Sequence, residues 1–195
     1  MPNTVGCVDG TLIAIKRPTE REDAYVCRKM FHALNVQGVC YNKKKRLTYL
    51  VKWPGCTHDA FIWNNCELMN YMENHQNIGH PLRQYLLAPL RNPVTPGERA
   101  FYSAHKRARE IIKDTIGRWK SRWMCLHKYG GPLTVQLETA IDVIVSTGIL
   151  HNICEDLGLT VDLLDPAEQE NEDENDDIQN IDRRHLRNRL IVERF

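Results

Sequence analysis

The sequence lacks the features that mark secreted, disulfide-rich and membrane-spanning proteins. Its seven cysteines form no Cys-x-x-Cys pair and follow no repeated spacing, which argues against a disulfide scaffold and a zinc site. It has no apolar leader, and no apolar run approaches the roughly 20 residues of a membrane helix. With 195 residues and 42% hydrophobic content, the chain is expected to be a soluble protein with one core and no membrane partner.

Charge of one sign is also missing overall, because 26 basic residues face 25 acidic ones. Locally the balance is uneven. Residues 99–122 carry eight Lys or Arg and two acids, whereas residues 162–177 carry nine acids and no base. The acidic stretch has too little apolar surface to offset its chain entropy. We therefore predict a globular domain at 1–160, a disordered acidic linker at 161–180 and a short basic-apolar helix at 181–195.

The order of hydrophobic patterns predicts strands first and helices afterwards. Short β-rich runs at 4–8 and 11–15 are separated by Asp9-Gly10, a dipeptide typical of hairpin turns. Two more strands and three helices follow. The strands are predicted at 32–40 and 46–52, and the helices at 58–73 (with Thr57 or Asp59 as N-cap), 103–124 and about 137–154. This order indicates an α+β or α/β domain.

The helix at 103–124 has an apolar stripe and a separate row of cations. The row, called here the cationic row, consists of Lys106, Arg109, Lys113 and Lys120, spaced by three, four and seven residues. Residues at these spacings share one side of a helix. Such a row could contact DNA phosphates. The alternative is an ordinary solvated face, because charged side chains on amphipathic helices usually serve only that purpose.

Five segments together resemble the nuclease domain of PIF/Harbinger transposases. They are VGCVDGTLIAIKRP (5–18), YVCRKMFHALNVQGVCYNKKKRLTYL (25–50), WPGCTHDAFIWNNCEL (53–68), HPLRQYLLAPLRNPVTPGERAFYSAHKRAREIIKDTIGRWKSRWMCL (80–126) and ILHNICEDLGL (149–159). The resemblance implies an α/β fold with a ribonuclease H-like mixed sheet flanked by helices, as in DDE transposases and integrases. It also implies that the domain is incomplete, because the helical region expected upstream of the first catalytic strand is missing.

In this family three acids bind two divalent cations that activate water and stabilise the leaving oxygen. By resemblance Asp9 holds the first acid position. Asn77 stands at the second and Lys113 at the third. Asp114 is a possible substitute for the third acid, although it points about 100° around the helix. Asp59 is a further candidate metal ligand, with an N-cap as the structural alternative. His151 and Asn152 are predicted to fasten the last helix as a buried polar pair.

The charge of these positions decides the functional expectation. A lysine about 5 Å from a divalent ion adds repulsion on the order of 6 kcal/mol at an effective dielectric near 20. We therefore expect that the family reaction, Mg²⁺- or Mn²⁺-dependent endonucleolytic hydrolysis of DNA, is impaired or lost. The alternatives are a nuclease that remains active, a catalytically inactive module that binds DNA or a Myb-like partner protein, and a decaying transposon remnant.

The resemblance and one basic segment also predict the location and partners. The family implies DNA and a separate Myb-like DNA-binding protein as partners. Residues 43–46 read KKKR, which could aid nuclear import or could be a solvated hairpin turn. The expected location is the nucleus, with the cytoplasm as a further location. The sequence names neither a target site nor an oligomeric state.

Overall fold

The computed structural model describes residues 6–41, 47–74 and 92–164. Its strands are β1 (Gly6–Ala14), β2 (Ala33–Tyr41) and β3 (Leu47–Pro54); its helices are α1 (Glu22–Tyr25), α2 (Asp59–Asn64), α3 (Glu67–Asn74), α4 (Pro96–Arg122) and α5 (Leu137–Asp156), with short 3₁₀ helices at Met124–Leu126 and Lys128–Gly130. Four predictions lie outside the described residues: Asn77, the import segment at 43–46, most of the acidic linker and the C-terminal helix.

The described strands form one antiparallel sheet in the order β1-β2-β3. β1 runs unbroken through Asp9 and Gly10, which lie opposite Gly38 and Gln37 of β2. The predicted break into two strands at this dipeptide is therefore wrong. Asp-Gly favours a turn only as a local tendency, and here nine consecutive residues of β1 pair with β2. Cross-strand pairing outweighs the local preference.

The long helix α4 begins at Pro96, well before the predicted start at residue 103. The Thr95 hydroxyl accepts a hydrogen bond from Glu98 N at 3.2 Å, and the Glu98 carboxylate accepts one from Thr95 N at 2.8 Å. This capping box, with proline in the first turn, satisfies donors that a helix start leaves open. The apolar stripe of α4 packs on the sheet with Phe101, Ala104, Ile112, Thr115, Ile116 and Trp119 buried.

The segment predicted as one helix over 58–73 is two helices, α2 and α3. The chain leaves helical geometry at Asn65, and the thiol of Cys66 then accepts a hydrogen bond from Met69 N at 3.4 Å near the start of α3. The predicted N-cap is also wrong. His58 occupies the cap position without a side-chain cap bond, and the Asp59 carboxylate accepts a hydrogen bond from Asn35.

The last helix, α5, packs on β3. The Tyr49 hydroxyl donates to Val145 O at 2.7 Å, and its ring lies so close to Gly148 that a methyl group there would come within 2.2 Å of the ring. By length and composition alone α5 could cross a membrane, although the sequence predicted no such segment. The contacts with β3 give this helix a packed side.

One core joins the sheet to α4 and α5. Its fully buried members include Ile13, Leu34, Ile112, Trp119 and Ile144. Beyond β1, Ile15 forms an isolated parallel bridge with Leu133. A sheet covered by long helices, with three antiparallel strands, is consistent with the predicted α/β fold of the ribonuclease H type in partial form.

Candidate active site and the cationic edge of the sheet

Asp9 lies in the middle of β1 and faces α4. Because side chains alternate along a strand, Asp9 and its pairing partner Gly38 lie on the same face. A methyl group at Gly38 would meet Ile112 and Ile116 of α4. The Asp9 side chain is only 10% exposed, and its Oδ1 accepts a hydrogen bond from Gly10 N at 3.2 Å. The first predicted acid is therefore a nearly buried carboxylate under the long helix.

A cation of α4 reaches this carboxylate. Arg109 Nη2 lies 3.5 Å from Asp9 Oδ1, and the Arg109 side chain is 30% exposed. Lys113 follows Arg109 by one helical turn, so both belong to the side of α4 that faces β1. The structure thus shows Arg109 as a direct contact of Asp9 and places Lys113, at the third position, one helical turn further along α4.

The cationic row reaches the outer edge of β1. At its far end, Lys120 Nζ donates to Leu12 O at 3.1 Å. A carbonyl on that edge has no neighbouring strand within the described residues, and a lysine is a common way to cover such an edge. Arg109 and Lys120 therefore contact β1 and do not belong to a purely solvated face. Lys106, at the other end of the row, is exposed.

Asp59 reaches β1 from the opposite face. Its carboxylate lies over Gly10, where a methyl group would come within 2.4 Å of Oδ1. Asn35 Nδ2 donates to Asp59 Oδ1 at 2.9 Å and to Thr57 O at 2.8 Å. The structure therefore does not bring Asp59 to the face on which Asp9 lies. Only glycine at position 10 leaves room for this carboxylate.

Asp114, the possible substitute for the third acid, contacts its own helix. Arg118 Nε donates to Asp114 Oδ2 at 2.9 Å, one turn further along α4. This i,i+4 pair directs the carboxylate along the helix. The second acid position, Asn77, lies outside the described residues.

Two thiols lie beside Asp9 on the same face. Cys7 and Cys40 are directly opposite in the β1-β2 register. A hydrogen bond from Cys40 lowers the pKa of Cys7 to about 7, against burial, which raises it. The same interaction and burial raise the pKa of Cys40. The Cys7 thiol also donates a hydrogen bond to Ala108 O at 3.0 Å. Only the protonated thiol can make this bond.

Divalent metal is the cofactor that the family generally uses, and the donor set can be tested against it. A hard cation needs several oxygen ligands with negative charge. Within residues 6–41, 47–74 and 92–164 there is no group of three or more His, Cys, Asp or Glu side chains that could hold a metal. Asp9, at the first acid position, already has the Arg109 guanidinium as a neighbour. These residues do not fit a divalent ion.

Sequence reasoning missed Asn35 and Gly10 as parts of this region, and it did not predict that Arg109 contacts Asp9. Asn35 and Gln37 did carry a signal, because two amides alternate on one face of an otherwise apolar strand and both are buried. Buried amides need partners, and Asp59 supplies them. The contact of Arg109 with Asp9 joins residues 100 positions apart, and no local pattern reveals it.

The sheet, the long helix above it and the acid in the first strand are consistent with one class, the nuclease domain of DDE enzymes. The chain belongs to the DDE superfamily endonucleases, whose family profile matches residues 8–152. This match confirms the resemblance to Harbinger transposase-derived nucleases. No solved structure matches the chain.

The chain is similar to proteins that share one name in several vertebrates. The chain is 30% identical over 208 aligned positions to the protein named "Putative nuclease HARBI1" of Rattus norvegicus, and equally to that of Homo sapiens. Each match covers all of this chain and 60% of the relative. The Xenopus laevis protein of that name is 25% identical over 161 positions, which cover 78% of this chain and 46% of the relative. The chain thus spans about 60% of the length of the mammalian relatives.

Proposed function

We propose that this chain is a nuclease homologue in which metal-dependent hydrolysis of DNA phosphodiesters is impaired or lost, and which retains contact with the DNA backbone. The observation that carries the proposal is the 3.5 Å contact between Arg109 and Asp9, with Lys113 one helical turn further on. The residue at the first acid position lies beside an arginine of α4, the helix that would supply the third acid.

Charge explains why this arrangement opposes catalysis. Two divalent ions require the summed negative charge of several carboxylates. Asp9 contributes one negative charge, Arg109 places one positive charge beside it, and Lys113 carries a second positive charge at the third acid position. The repulsion between a divalent ion and a nearby cation is on the order of 6 kcal/mol at about 5 Å. A repulsion of that size removes ordinary Mg²⁺ affinity. Without bound metal, the activation of water is lost as well.

Nicking of supercoiled plasmid tests the loss of catalysis. Wild-type protein, Asp9→Asn and the control Asp142→Asn, which changes an exposed acid of α5, are incubated with Mg²⁺ or Mn²⁺. We expect no protein-dependent nicking in any of the three. Cleavage by wild type and Asp142→Asn that disappears in Asp9→Asn would show a working site and refute the proposal.

DNA binding through the cationic row has its own test. Phosphate contacts release counterions, so the logarithm of the affinity falls with the logarithm of the salt concentration, by about 0.9 per contact. Lys106→Ala removes an exposed member of the row, and Lys52→Ala removes an exposed lysine of β3 as the control. We expect the slope to fall by about 1 in the first variant alone. A wild-type affinity that is absent or independent of salt would exclude DNA binding.

A second candidate function is binding of a Myb-like partner protein, and one surface favours it. The second half of α5 exposes Ile149, Leu150 and Ile153, and Leu157, which follows the helix, is 70% exposed. Apolar side chains gathered on one helix are unusual on an isolated surface and are common at interfaces. Titration of a Myb-like domain against wild type, Ile153→Ser and the control Val94→Ser tests this candidate. We expect about tenfold weaker binding in Ile153→Ser alone; equal binding by all three would exclude this surface.

A further inference from the structure

The connection between β1 and β2 ends in a tight turn with unusual residue chemistry. Met30 N donates to Cys27 O at 2.9 Å, Cys27 N donates to Phe31 O at 2.9 Å, and Val26 bridges to His32. Met30 has a φ of 62°. This left-handed position after a turn is one where glycine is usual, because it has no Cβ to strain. Here a long apolar side chain occupies it.

Packing does not explain this choice. Met30 is 83% exposed and Phe31 is 37% exposed, so neither the strain nor the exposed surface of Met30 is offset by burial. Arg28 and Lys29 precede them and are also exposed. Strained residues at exposed sites point to a role beyond folding. We call residues 28–31 the basic tip.

The basic tip lies at the end of the sheet toward which the cationic row leads. α4 runs in the same direction as β1, since Ala108 contacts Cys7 and Lys120 contacts Leu12. Beyond Ala14, Ile15 N donates to His32 O at 3.0 Å, at the base of the hairpin that bears the tip. A DNA backbone that follows the cationic row along β1 is therefore led toward this end of the sheet.

We propose that the basic tip is a second DNA contact, in which Lys29 binds a phosphate and Met30 enters the minor groove of the duplex. Methionine is among the apolar residues that proteins insert between base steps. A neighbouring cation holds the backbone beside the inserted side chain. This inference rests on the proposed DNA binding and adds the element that reaches the bases.

Met30→Gly tests the tip with effects of opposite sign on folding and binding. Glycine suits the left-handed position, so the variant is expected to unfold at a higher urea concentration than wild type. Its affinity for a duplex of about 20 base pairs is nevertheless expected to fall at least about fivefold, with the salt slope unchanged. Met30→Leu keeps a large apolar side chain and is expected to bind like wild type. Val94→Ala, which shortens an exposed apolar side chain just before α4, is the control.

Lys29→Ala completes the test through the salt slope, which is expected to fall by about 1. If wild type binds duplex DNA and both Met30→Gly and Lys29→Ala bind equally well with the same slope, the basic tip is not a contact. The proposed DNA binding itself then stands. If wild type does not bind DNA at all, the proposed function fails and this inference fails with it.

Discussion

The two edges of the described sheet are covered by helices in different ways. At the β3 edge, Asn152 of α5 accepts from Leu47 N at 2.8 Å and donates to Leu47 O at 2.9 Å. At the β1 edge, Lys120 of α4 donates to Leu12 O at 3.1 Å, and Arg109 lies 3.5 Å from Asp9. One edge is closed by a neutral amide with two short bonds, and the other by cations.

The difference separates a structural device from a functional one. A side-chain amide can both donate and accept, so Asn152 satisfies both backbone groups of Leu47 and adds no charge. The cations at β1 satisfy acceptors only and add positive charge where the family site needs negative charge. Sites that break the rules of stable packing are expected to be functional or formerly functional. Under the proposed function, the nearly buried Asp9 beside Arg109 marks the β1 edge as such a site.

The largest expected effect is a dependence of stability on pH through His151, which lies on α5, the helix that covers the β3 edge. This ring is fully buried, and neither ring nitrogen has a hydrogen-bond partner within the described residues. The pKa of His151 is lowered from 6.5 to about 4, chiefly by burial; Glu155 raises it, and Arg122 and Arg118 lower it. In the unfolded chain His151 is protonated below pH 6.5, whereas in the folded protein its pKa is about 4 and it is protonated only below that pH. Stability is therefore full above pH 6.5 and falls as the pH drops to 4.

The expected loss is about 3 kcal/mol in the free energy of unfolding. Urea titrations of wild type and His151→Leu at pH 7.5, 5.5 and 4.5 measure it. The variant should lose clearly less stability over this range, because other titrating groups remain but this one is gone. Parallel pH curves for the two proteins would contradict the assignment.

The amide that closes the β3 edge should have the next largest effect. Asn152→Ala leaves Leu47 N and Leu47 O without their side-chain partners, which should cost about 2 kcal/mol of unfolding free energy. Asn65→Ala is a matched control, since Asn65 is an exposed asparagine that donates to Phe61 O of its own helix. The control should change stability by less than about 0.5 kcal/mol. Equal effects in urea unfolding would remove the contrast between the two edges.

The cationic edge should contribute least to stability. Arg109→Gln removes the charge beside Asp9, but the 3.5 Å contact is long and the arginine is 30% exposed. We expect a loss of about 1 kcal/mol or less. Urea unfolding at low and high salt checks this, and a loss larger than that of Asn152→Ala would make the cationic edge the structural one.

Much of the fold could be predicted from the sequence, and the site only in part. The apolar stripe that includes Ile112, Ile116 and Trp119 identifies α4, because a helix of this length has a clear periodicity. The predicted break at Asp9-Gly10 was wrong because a local turn signal competes with pairing to residues far along the chain.

Long-range contacts also explain what was missed in the site. Asp59 was considered as a cap for its own helix, yet it binds Asn35 of β2. Arg109 was identified as part of a row on α4, but its contact with Asp9 depends on how α4 lies across β1. Of the predicted polar pair on α5, Asn152 fastens the helix as expected, whereas His151 has no partner within the described residues.

Direct titration of Mn²⁺ into the protein tests the central claim, that protein cations occupy the surroundings of Asp9 where metal would have to bind. Calorimetry would compare wild type, Asp9→Asn and the double variant Arg109→Gln/Lys113→Glu, which returns negative charge to the site. We predict no saturable binding by wild type or Asp9→Asn, and measurable binding by the double variant. Saturable binding by wild type that Asp9→Asn abolishes would contradict the account.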